Sequence, residues 1–350
     1  MKKILFAGAY ELNYNRTHVI YKGLLEQGYK IEHINVPITS PLKRTRDLKK
    51  CFLKNTHSDF DIVFIPSFCH YEVPVIRKLT DKAIIFDPLI SRYISKIYDF
   101  EKPGFLGWYA YANKRIDKLS FGFSDIILSD TITHGQCYSE FFKINPRKLK
   151  IIYVGYNDED FFPVEKDCCE FKIGHYGNFQ PLNGIETILK AATILKNMPI
   201  KFEFIGDNQA EFKRKANLIR PLEQTGTLTL LGKKPYNELY KYINNWDICL
   251  GIFGKTLKAD IVIPNKVFHY AGCRRPIITA QTKAIKELFR DGESIALCEP
   301  TPEALASCVE KLYADSSLRN KIAHGAYEVV KNRCTYKTIG KQMADLIESL

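Results

Sequence analysis

A lysine in an unusual helical position is the first sign of chemistry in this chain. The segment Pro264-Asn265-Lys266 follows an apolar strand and a basic loop that contains Lys258, and proline favours the first turn of a helix. Lys266 would then lie in that first turn, where its charge opposes the helix dipole unless an anion is near. Because the placement is locally unfavourable, it indicates a function for Lys266.

A glycine-containing loop earlier in the same half is suited to a phosphate. Gly177 and Asn178 follow the predicted strand Lys172–Tyr176, and the loop continues through Asn183 to a predicted helix over Ile185–Lys196. Backbone amides of such a loop and the positive end of the following helix attract anions. A tight turn without a ligand is the alternative interpretation. Neither a Gly-x-Gly-x-x-Gly fingerprint nor a Walker loop is present in the chain, which argues against NAD binding and P-loop chemistry.

Other glycines and polar residues follow further predicted strands. In an open α/β fold these positions lie at the carboxyl edge of the sheet, where ligands bind. They are Gly206, Asp207 and Asn208 after one strand, Phe253 and Gly254 after another, and Glu287 near a later helix start. A turn without a ligand explains the first group equally well. Glu287 is suited to holding sugar or ribose hydroxyls, with an exposed carboxylate at a helix start as the alternative.

The elements that would position these residues alternate between strand and helix. Runs of β-branched and aromatic residues, separated by helical periodicity, predict a doubly wound α/β fold. A chain of 350 residues is long enough for two such domains. The predicted strands are 3–6, 30–34, 62–65, 83–86, 125–128 and 150–153, and then 172–176, 201–205, 228–231, 248–251, 276–279 and 294–297.

A polar stretch with a proline divides the chain into two predicted domains. Tyr156–Pro163 interrupts the rhythm of strands and helices, and we place the linker at 158–171. It separates an N-terminal domain over 1–157 from a C-terminal domain over 172–332, and a last helix is predicted over 333–350. Two such domains would create a cleft, which is the default binding site.

Positive charge is concentrated in the first half of the chain. Residues 1–157 contain 24 Lys or Arg and 15 Asp or Glu, within a formal charge of +12 for the whole chain. We therefore expect an acidic partner for this half. One predicted helix could lie on an anionic membrane surface or simply face solvent. Its basic residues are Lys43, Arg44, Arg46, Lys49, Lys50 and Lys54.

Several classes of protein are not expected. No apolar stretch approaches the about 20 residues needed to span a bilayer, which predicts a cytoplasmic or peripheral membrane protein. The basic residues are spread over many helices without a recognition module, which argues against nucleic acid. The ten cysteines include no Cys-x-x-Cys pair, so no metal site is expected.

Taken together, these segments resemble the retaining GT-B glycosyltransferases of family 4. The donor domain of that family carries a glycine-rich loop, a Pro-x-Lys segment that opens a helix, and a later glutamate. The resemblance extends over nearly the whole chain, and Asn13, Tyr14 and Arg16 lie in a segment similar to the first acceptor-side loop of the family. It implies two Rossmann-like domains that face a central cleft, with the C-terminal helix crossing back to the first domain. It also implies a nucleotide-diphosphate sugar as co-substrate, with no cofactor.

Together with the positions of these residues after predicted strands and at a helix start, the resemblance leads us to assign roles to particular residues. Lys258 and Lys266 would stabilise the negative charge that grows on the leaving diphosphate, without a metal. Asp87 would polarise the acceptor hydroxyl, and Asn13, Tyr14 and Arg16 would face the acceptor, although a capping role for Asp87 is the simpler alternative. The donor-binding residues would be Gly177, Asn178, Asn183, Gly206, Asp207, Phe253, Gly254, Pro264, Asn265, His269 and Glu287.

The chain departs from the family pattern at two places. Relatives carry a Glu-x₇-Glu motif where this chain has Ile261 and His269, although Asp260 stands next to the first position. Relatives also supply an arginine and a lysine from the glycine-rich loop, where this chain has Asn178 and Asn183. The phosphate ligands are therefore expected to differ from those of the family.

The predicted activity is transfer of a hexosyl-type sugar, with retention, to a glycan or lipid-linked acceptor. Bacterial envelope polysaccharide synthesis, of lipopolysaccharide, capsule or exopolysaccharide, is the expected setting. Two alternatives keep the same fold: a sugar-nucleotide epimerase or hydrolase, and a degenerate binding protein without catalysis.

Overall fold

Two parallel sheets organise the chain, one in each of two units. The computed structural model describes residues 2–54, 59–99, 107–167, 169–207 and 209–350. One unit comprises Met1–Gly155 with Tyr336–Leu350, and the other comprises Tyr156–Thr335. Asn208 of the predicted turn lies outside the described residues.

The sheet of the first unit consists of six described strands. They are β1 Lys3–Gly8, β2 Lys30–Asn35, β3 Ile62–Ile65, β4 Ala83–Phe86, β5 Ile126–Ser129 and β6 Leu149–Ile151. They pair in parallel in the order β2-β1-β3-β4-β5-β6. The helices between them are α1 Asn15–Glu26, α2 Pro41–Lys54, α3 Val73–Arg77, α4 Trp108–Phe123 and α5 Ile132–Phe142, with a π-helical turn at Ile94–Tyr98 and a 3-10 turn at Pro146–Lys148.

The second unit repeats this plan with its own parallel sheet. Its described strands are β7 Phe171–Tyr176, β8 Ile200–Ile205, β9 Leu228–Leu230, β10 Ile248–Leu250, β11 Ile277–Ala280 and β12 Ala296–Cys298. They pair in the order β12-β11-β10-β7-β8-β9. The helices are α6 Ile185–Ile194, α7 Gln209–Arg214, α8 Ala216–Gln224, α9 Leu239–Asn245, α10 Leu257–Ile261, α11 Asn265–Gly272, α12 Ile285–Leu288, α13 Pro302–Ala314 and α14 Ser316–Arg333, with 3-10 turns at Pro181–Asn183 and Tyr236–Glu238.

Continuous apolar runs explain why the central strands form where the sequence predicted them. All four residues of β3 and of β11 are buried, as expected for parallel strands that are covered on both faces. Each predicted strand is present, with ends that differ by at most two residues, and the α/β class is confirmed. The predicted loop before Pro264 instead contains α10, because the Thr256 side chain caps that helix by accepting from the Ala259 amide.

The last helix, α15 at Tyr336–Glu348, belongs to the first unit and packs against α1. Two glycines allow the helices to approach closely. A methyl group at Gly340 would lie 2.3 Å from the carbonyl oxygen of Gly23, a separation that real side chains do not adopt. None of the helices in the described ranges is long and apolar enough to cross a membrane.

Strand order in the second unit identifies the edge where a ligand would bind. From β7, the chain runs outward through β8 and β9 on one side and through β10, β11 and β12 on the other. In such doubly wound sheets, ligands bind outside the carboxyl ends of the strands at which the order reverses. The loops after β7 and β10, at residues 177–184 and 251–256, lie at this edge.

Candidate functional site

A buried lysine lies at this edge of the second sheet. Lys266 occupies the first turn of α11, as predicted, and is only 5% exposed. Its Nζ donates to Asn183 Oδ1 at 2.7 Å and lies 3.1 Å from His175 Nε2. Burial lowers the pKa of Lys266 well below its ordinary value. No carboxylate in the described ranges pairs with this amine, so a protonated Lys266 carries uncompensated charge.

His175 supports Lys266 through one defined tautomer. The Nδ1 atom lies 3.1 Å from the carbonyl oxygen of Leu250, which can only accept, so Nδ1 carries the proton. Nε2 is then the acceptor that faces Lys266 Nζ. Burial first, and then the charge of Lys266, lower the pKa of His175 well below its ordinary value, so the ring is neutral. His175 therefore adds no positive charge beside Lys266.

The predicted glycine-containing loop wraps around the end of the Lys266 side chain. Gly177 adopts a φ of +138°, and a methyl group at this position would lie 3.1 Å from Lys266 Nζ. Asn183 links the two ends of the loop, since its Nδ2 donates to the carbonyl oxygen of Asn178 while its Oδ1 accepts from Lys266. Gly177, Asn178 and Asn183 are thus brought together with Lys266.

Close backbone packing fixes this loop against the loop after β10. The amide of Phe253 donates to the carbonyl oxygen of Asn183 at 3.1 Å, and the amide of Gly254 donates to that of Leu182 at 2.9 Å. A methyl group at Gly254 would lie 2.3 Å from the carbonyl oxygen of Pro181. Glycine is therefore required at position 254 for the two loops to meet.

Of the other predicted charged residues of this unit, Lys258 reaches the glycine-containing loop. Lys258, half-buried in α10, places its Nζ 3.4 Å from Gln180 Oε1. Asp260 instead accepts from the backbone amide of Lys283 at 2.9 Å, and Glu287 lies half-buried in α12. No group of three or more His, Cys, Asp or Glu side chains in the part of the chain that the structure describes is arranged to hold a metal ion.

His269, which the resemblance to family 4 aligns with a glutamate, is packed among aromatic rings. It is 1% exposed, and its ring stacks on Phe161 at 3.8 Å with an angle of 5° between the planes. Nδ1 lies 2.5 Å from the hydroxyl of Tyr176, and Nε2 lies 3.4 Å from the hydroxyl of Tyr236. Burial lowers the pKa of His269 to about 3. The position therefore holds a neutral ring whose two nitrogens both face tyrosine hydroxyls.

A pocket of about 270 Å³ lies at the carboxyl ends of β7 and β8. Two lysines that the sequence analysis did not single out, Lys233 and Lys234, line it from the loop after β9. They add positive charge beside the glycine-containing loop. The predicted residues in its wall are Gly177, Asn178, Gly206 and Asp207.

In the first unit, the predicted acceptor-side residues fall into two environments. Asn13 is exposed and Tyr14 is half-buried. Arg16 is fully buried, and its Nε lies 2.9 Å from Asp87 Oδ2, whose residue is 1% exposed. Arg16 Nη1 also donates to the carbonyl oxygen of Ile152 at 2.6 Å. Arg16 and Asp87 thus neutralise each other inside the first unit, which accounts for both without an acceptor.

The second half of the chain is similar to known glycosyl transferases. The glycosyl transferase-like family model matches residues 188–345. A Pseudomonas aeruginosa protein named Probable glycosyltransferase WbjE is 26% identical over 190 residues, which cover 49% of this chain and 45% of that protein. The match therefore spans about half the length of this curated relative.

Solved structures extend the similarity to the whole chain. Sucrose-phosphate synthase from Thermosynechococcus elongatus superposes with a TM-score of 0.80 at 13% identity, over 100% of this chain and 99% of that one. HepE from Anabaena, in complex with UDP-glucose, superposes with a TM-score of 0.77 at 16% identity, over 100% of both chains. The chain has the GT-B fold.

The GT-B fold confirms the predicted architecture of two Rossmann-like domains and the resemblance to GT-B glycosyltransferases. The assignment to family 4 stays a prediction. The roles assigned to individual residues also stay predictions. Among these residues, the second unit brings together Lys266, Asn183, Gly177 and Lys258 around one loop.

Proposed function

We propose that this protein is a retaining glycosyltransferase that takes a hexosyl-type sugar from a nucleoside-diphosphate sugar. The observation that carries the proposal is Lys266, a buried amine with no carboxylate partner in the described residues, held at the ligand-binding edge of a GT-B sheet. A buried cation is unfavourable unless an anion compensates it. A diphosphate at this edge would supply that compensation.

The proposed reaction breaks the bond between the anomeric carbon of the donor sugar and the diphosphate oxygen. The bonding electrons leave with the nucleoside diphosphate, and an acceptor oxygen forms the new bond to the anomeric carbon on the same face. The proton of the acceptor hydroxyl passes to a phosphate oxygen of the departing diphosphate. Negative charge on the leaving oxygen is greater in the transition state than in the bound donor, so a fixed cation there accelerates the reaction.

In this proposal, the second unit binds the donor. Lys266 and Lys258 contact the diphosphate together with the backbone at Gly177 and Asn178 and the start of α11, and no metal ion takes part. The pocket that Lys233 and Lys234 line would receive another part of the nucleotide. Support comes from the positions of these groups around one loop.

The acceptor in this proposal is a glycan or a lipid-linked glycan of the bacterial envelope. An acidic or lipid-anchored acceptor matches the excess of basic residues in the first half of the chain. Asn13, which is exposed, and Tyr14, which is half-buried, remain the acceptor-side residues of this proposal.

The test is a donor screen by mass spectrometry. A panel of nucleoside-diphosphate sugars, beginning with UDP-glucose because HepE binds it, is incubated with lipid-linked and free-sugar acceptors. The expected result is a mass gain of one sugar on an acceptor, together with free nucleoside diphosphate. Analysis of the anomeric configuration of the product by NMR checks retention.

Other outcomes distinguish the alternatives. Release of free sugar or an isomerised donor in every acceptor reaction would indicate a hydrolase or epimerase. Tight binding of nucleoside diphosphates without turnover would indicate a non-catalytic binding protein. The absence of binding by every nucleotide in the panel would remove the donor site itself.

Nucleotide binding is expected to take up a proton at Lys266. Burial lowers the pKa of the free amine well below 10.5, and a nearby diphosphate would raise it again. Between these two pKa values the free protein is deprotonated at Lys266 and the complex is protonated. Within this window, UDP affinity should therefore fall as pH rises.

Calorimetric titration of UDP in buffers of different ionisation enthalpy measures this uptake directly. We expect up to about one proton per UDP within the window. His175 does not interfere, because its ring is already neutral. The Lys266→Met variant should bind more weakly and take up no proton. Uptake that persists in this variant would assign the titration to another group.

A further inference from the structure

Helix α2 of the first unit presents an exposed face that combines leucines with basic residues. Leu42 is 83% exposed and Leu53 is 52% exposed. The exposed basic residues of the helix are Lys43, Arg46, Lys49, Lys50 and Lys54. None of these five has a carboxylate partner in the described ranges. The one acidic residue of α2, Asp47, is half-buried at the edge of this face.

Helical geometry places the two leucines on one line. They are eleven residues apart, which is close to three full turns and about 16 Å along the axis. Arg46 and Lys50 lie between them on the same side, because the steps from Leu42 to Arg46, Lys50 and Leu53 are four, four and three residues. The outer face of α2 is therefore a stripe in which an exposed leucine at each end flanks cations.

The opposite face of α2 anchors the helix to the unit. Leu48 is 0% exposed and Phe52 is 6% exposed. Arg44, the one basic residue of α2 that is buried, pairs with Glu72, with 2.6 Å between Nε and Oε1. The helix is thus fixed in one rotation about its axis, and the exposed stripe is presented outward.

We propose that the outer face of α2 docks on an anionic lipid bilayer. Negative lipid headgroups would neutralise the five unpaired cations. Leu42 and Leu53 would enter the boundary between headgroups and acyl chains, where amphipathic helices place their apolar groups. The exposed leucines decide between possible partners, because a soluble polyanion would neutralise the charges and leave both leucines in water.

Ile38, just before α2, extends the apolar part of the same region. It is 56% exposed and lies three residues before the helix begins at Pro41. A surface of this kind binds reversibly, because it combines moderate apolar burial with charge attraction. Salt should weaken the contact by screening the charges, and this gives the interaction a measurable signature.

The test is co-sedimentation of the full chain with vesicles of phosphatidylcholine alone or of phosphatidylcholine with phosphatidylglycerol. We expect binding to the anionic vesicles that weakens as salt rises, and little binding to the neutral ones. The double variant Leu42→Ser/Leu53→Ser should bind anionic vesicles at least about tenfold more weakly. The double variant Lys49→Glu/Lys50→Glu should lose at least as much.

Matched variants control for general effects of the substitutions. Leu25→Ser/Leu119→Ser changes two other exposed leucines of the first unit, which are 43% and 40% exposed, and should leave binding unchanged. Lys196→Glu/Lys321→Glu makes the same charge change on exposed positions of the second unit and should weaken binding much less. Thermal unfolding shows whether each variant is folded.

Several results would overturn the proposal. Equal binding to neutral and anionic vesicles is one, and unchanged binding by the α2 leucine variant is another. Retention on heparin without vesicle binding would indicate a soluble polyanion. Loss of binding in Trp108→Ser, with full binding by both α2 variants, would place the contact on α4, where Trp108 is 79% exposed. Vesicle binding requires no sugar transfer, so the result of this test is independent of whether the protein has the proposed activity.

Discussion

Replacement of Lys266 by methionine is expected to lower kcat/KM for sugar transfer by about 10²–10³-fold. This is the usual effect of removing one fixed group that stabilises the charge developing in a transition state. Methionine has a similar length and no charge, so it fills the same buried space between Asn183 and His175. The measurement is steady-state kinetics with the donor found in the screen.

A comparison of two ligands separates a phosphate role from a structural one. UDP carries the diphosphate and uridine does not. If Lys266 contacts the diphosphate, Lys266→Met weakens UDP binding and leaves uridine binding unchanged. If Lys266 only supports the loop at 177–184, both affinities fall together.

The matched control is Lys196→Met, which removes a lysine of the same unit at an exposed position. Its kcat/KM and its affinity for UDP should equal those of the wild type. Full transfer activity by a correctly folded Lys266→Met protein would remove Lys266 from the phosphate site. The diphosphate would then have to be bound by Lys258 and by the lysines of the loop after β9.

Replacement of Arg16 by methionine is expected to destabilise the first unit by about 3–5 kcal/mol, the usual cost of breaking a buried ion pair from one side. Arg16 Nε contacts both oxygens of Asp87, at 3.1 and 2.9 Å. Without it, Asp87 would be a buried carboxylate with no cation beside it among the residues that the structure describes. The Ser67 hydroxyl, at 3.1 Å from Asp87 Oδ2, offers only partial compensation. The double variant Arg16→Met/Asp87→Asn should recover part of the stability, because the buried charge is gone.

Hydrogen exchange read by mass spectrometry is the appropriate measurement, because it reports each unit separately. Amides of β4, which ends at Phe86 just before Asp87, should exchange faster in Arg16→Met, while those of β7 should not change. Lys337→Met is the control, since Lys337 pairs with Glu26 at 3.6 Å with both side chains about half exposed, and such pairs contribute about 0–1 kcal/mol.

The result also decides between two roles for Asp87. A stable Arg16→Met protein with greatly reduced transfer would contradict the structural role and favour participation of this pair in acceptor chemistry. Loss of stability that accounts for the loss of activity would place Asp87 in the framework, with Asn13 and Tyr14 left as the acceptor-side residues.

Local sequence patterns were sufficient to predict where the strands of both sheets lie. Strands such as β3 and β11 are short, continuous apolar runs, and turns with glycine or proline bound them, so their positions follow from residues that are neighbours in sequence. The place of Lys266 in the first turn of α11 also follows locally, because Pro264 sets the start of that helix.

The partners of Lys266 and Arg16 could not be predicted in this way, because they come from distant parts of the chain. Lys266 meets His175 and Asn183, which are 91 and 83 residues away in sequence. A histidine near the end of the otherwise mostly apolar β7 was the one local sign of such a role. Similarly, nothing adjacent to Arg16 indicated that its charge would be matched by Asp87, 71 residues further along.

The sequence alone thus determined the position of each described strand, and through the strands the two-domain α/β architecture, although it did not predict helix α10. Only the tertiary structure decided which charges are paired and which are not. Pairing depends on strand order in the sheet and on burial, and neither is a property of a local segment. For this reason the sequence indicated that Lys266 has a function, and the structure was needed to show that its amine is buried beside a neutral His175.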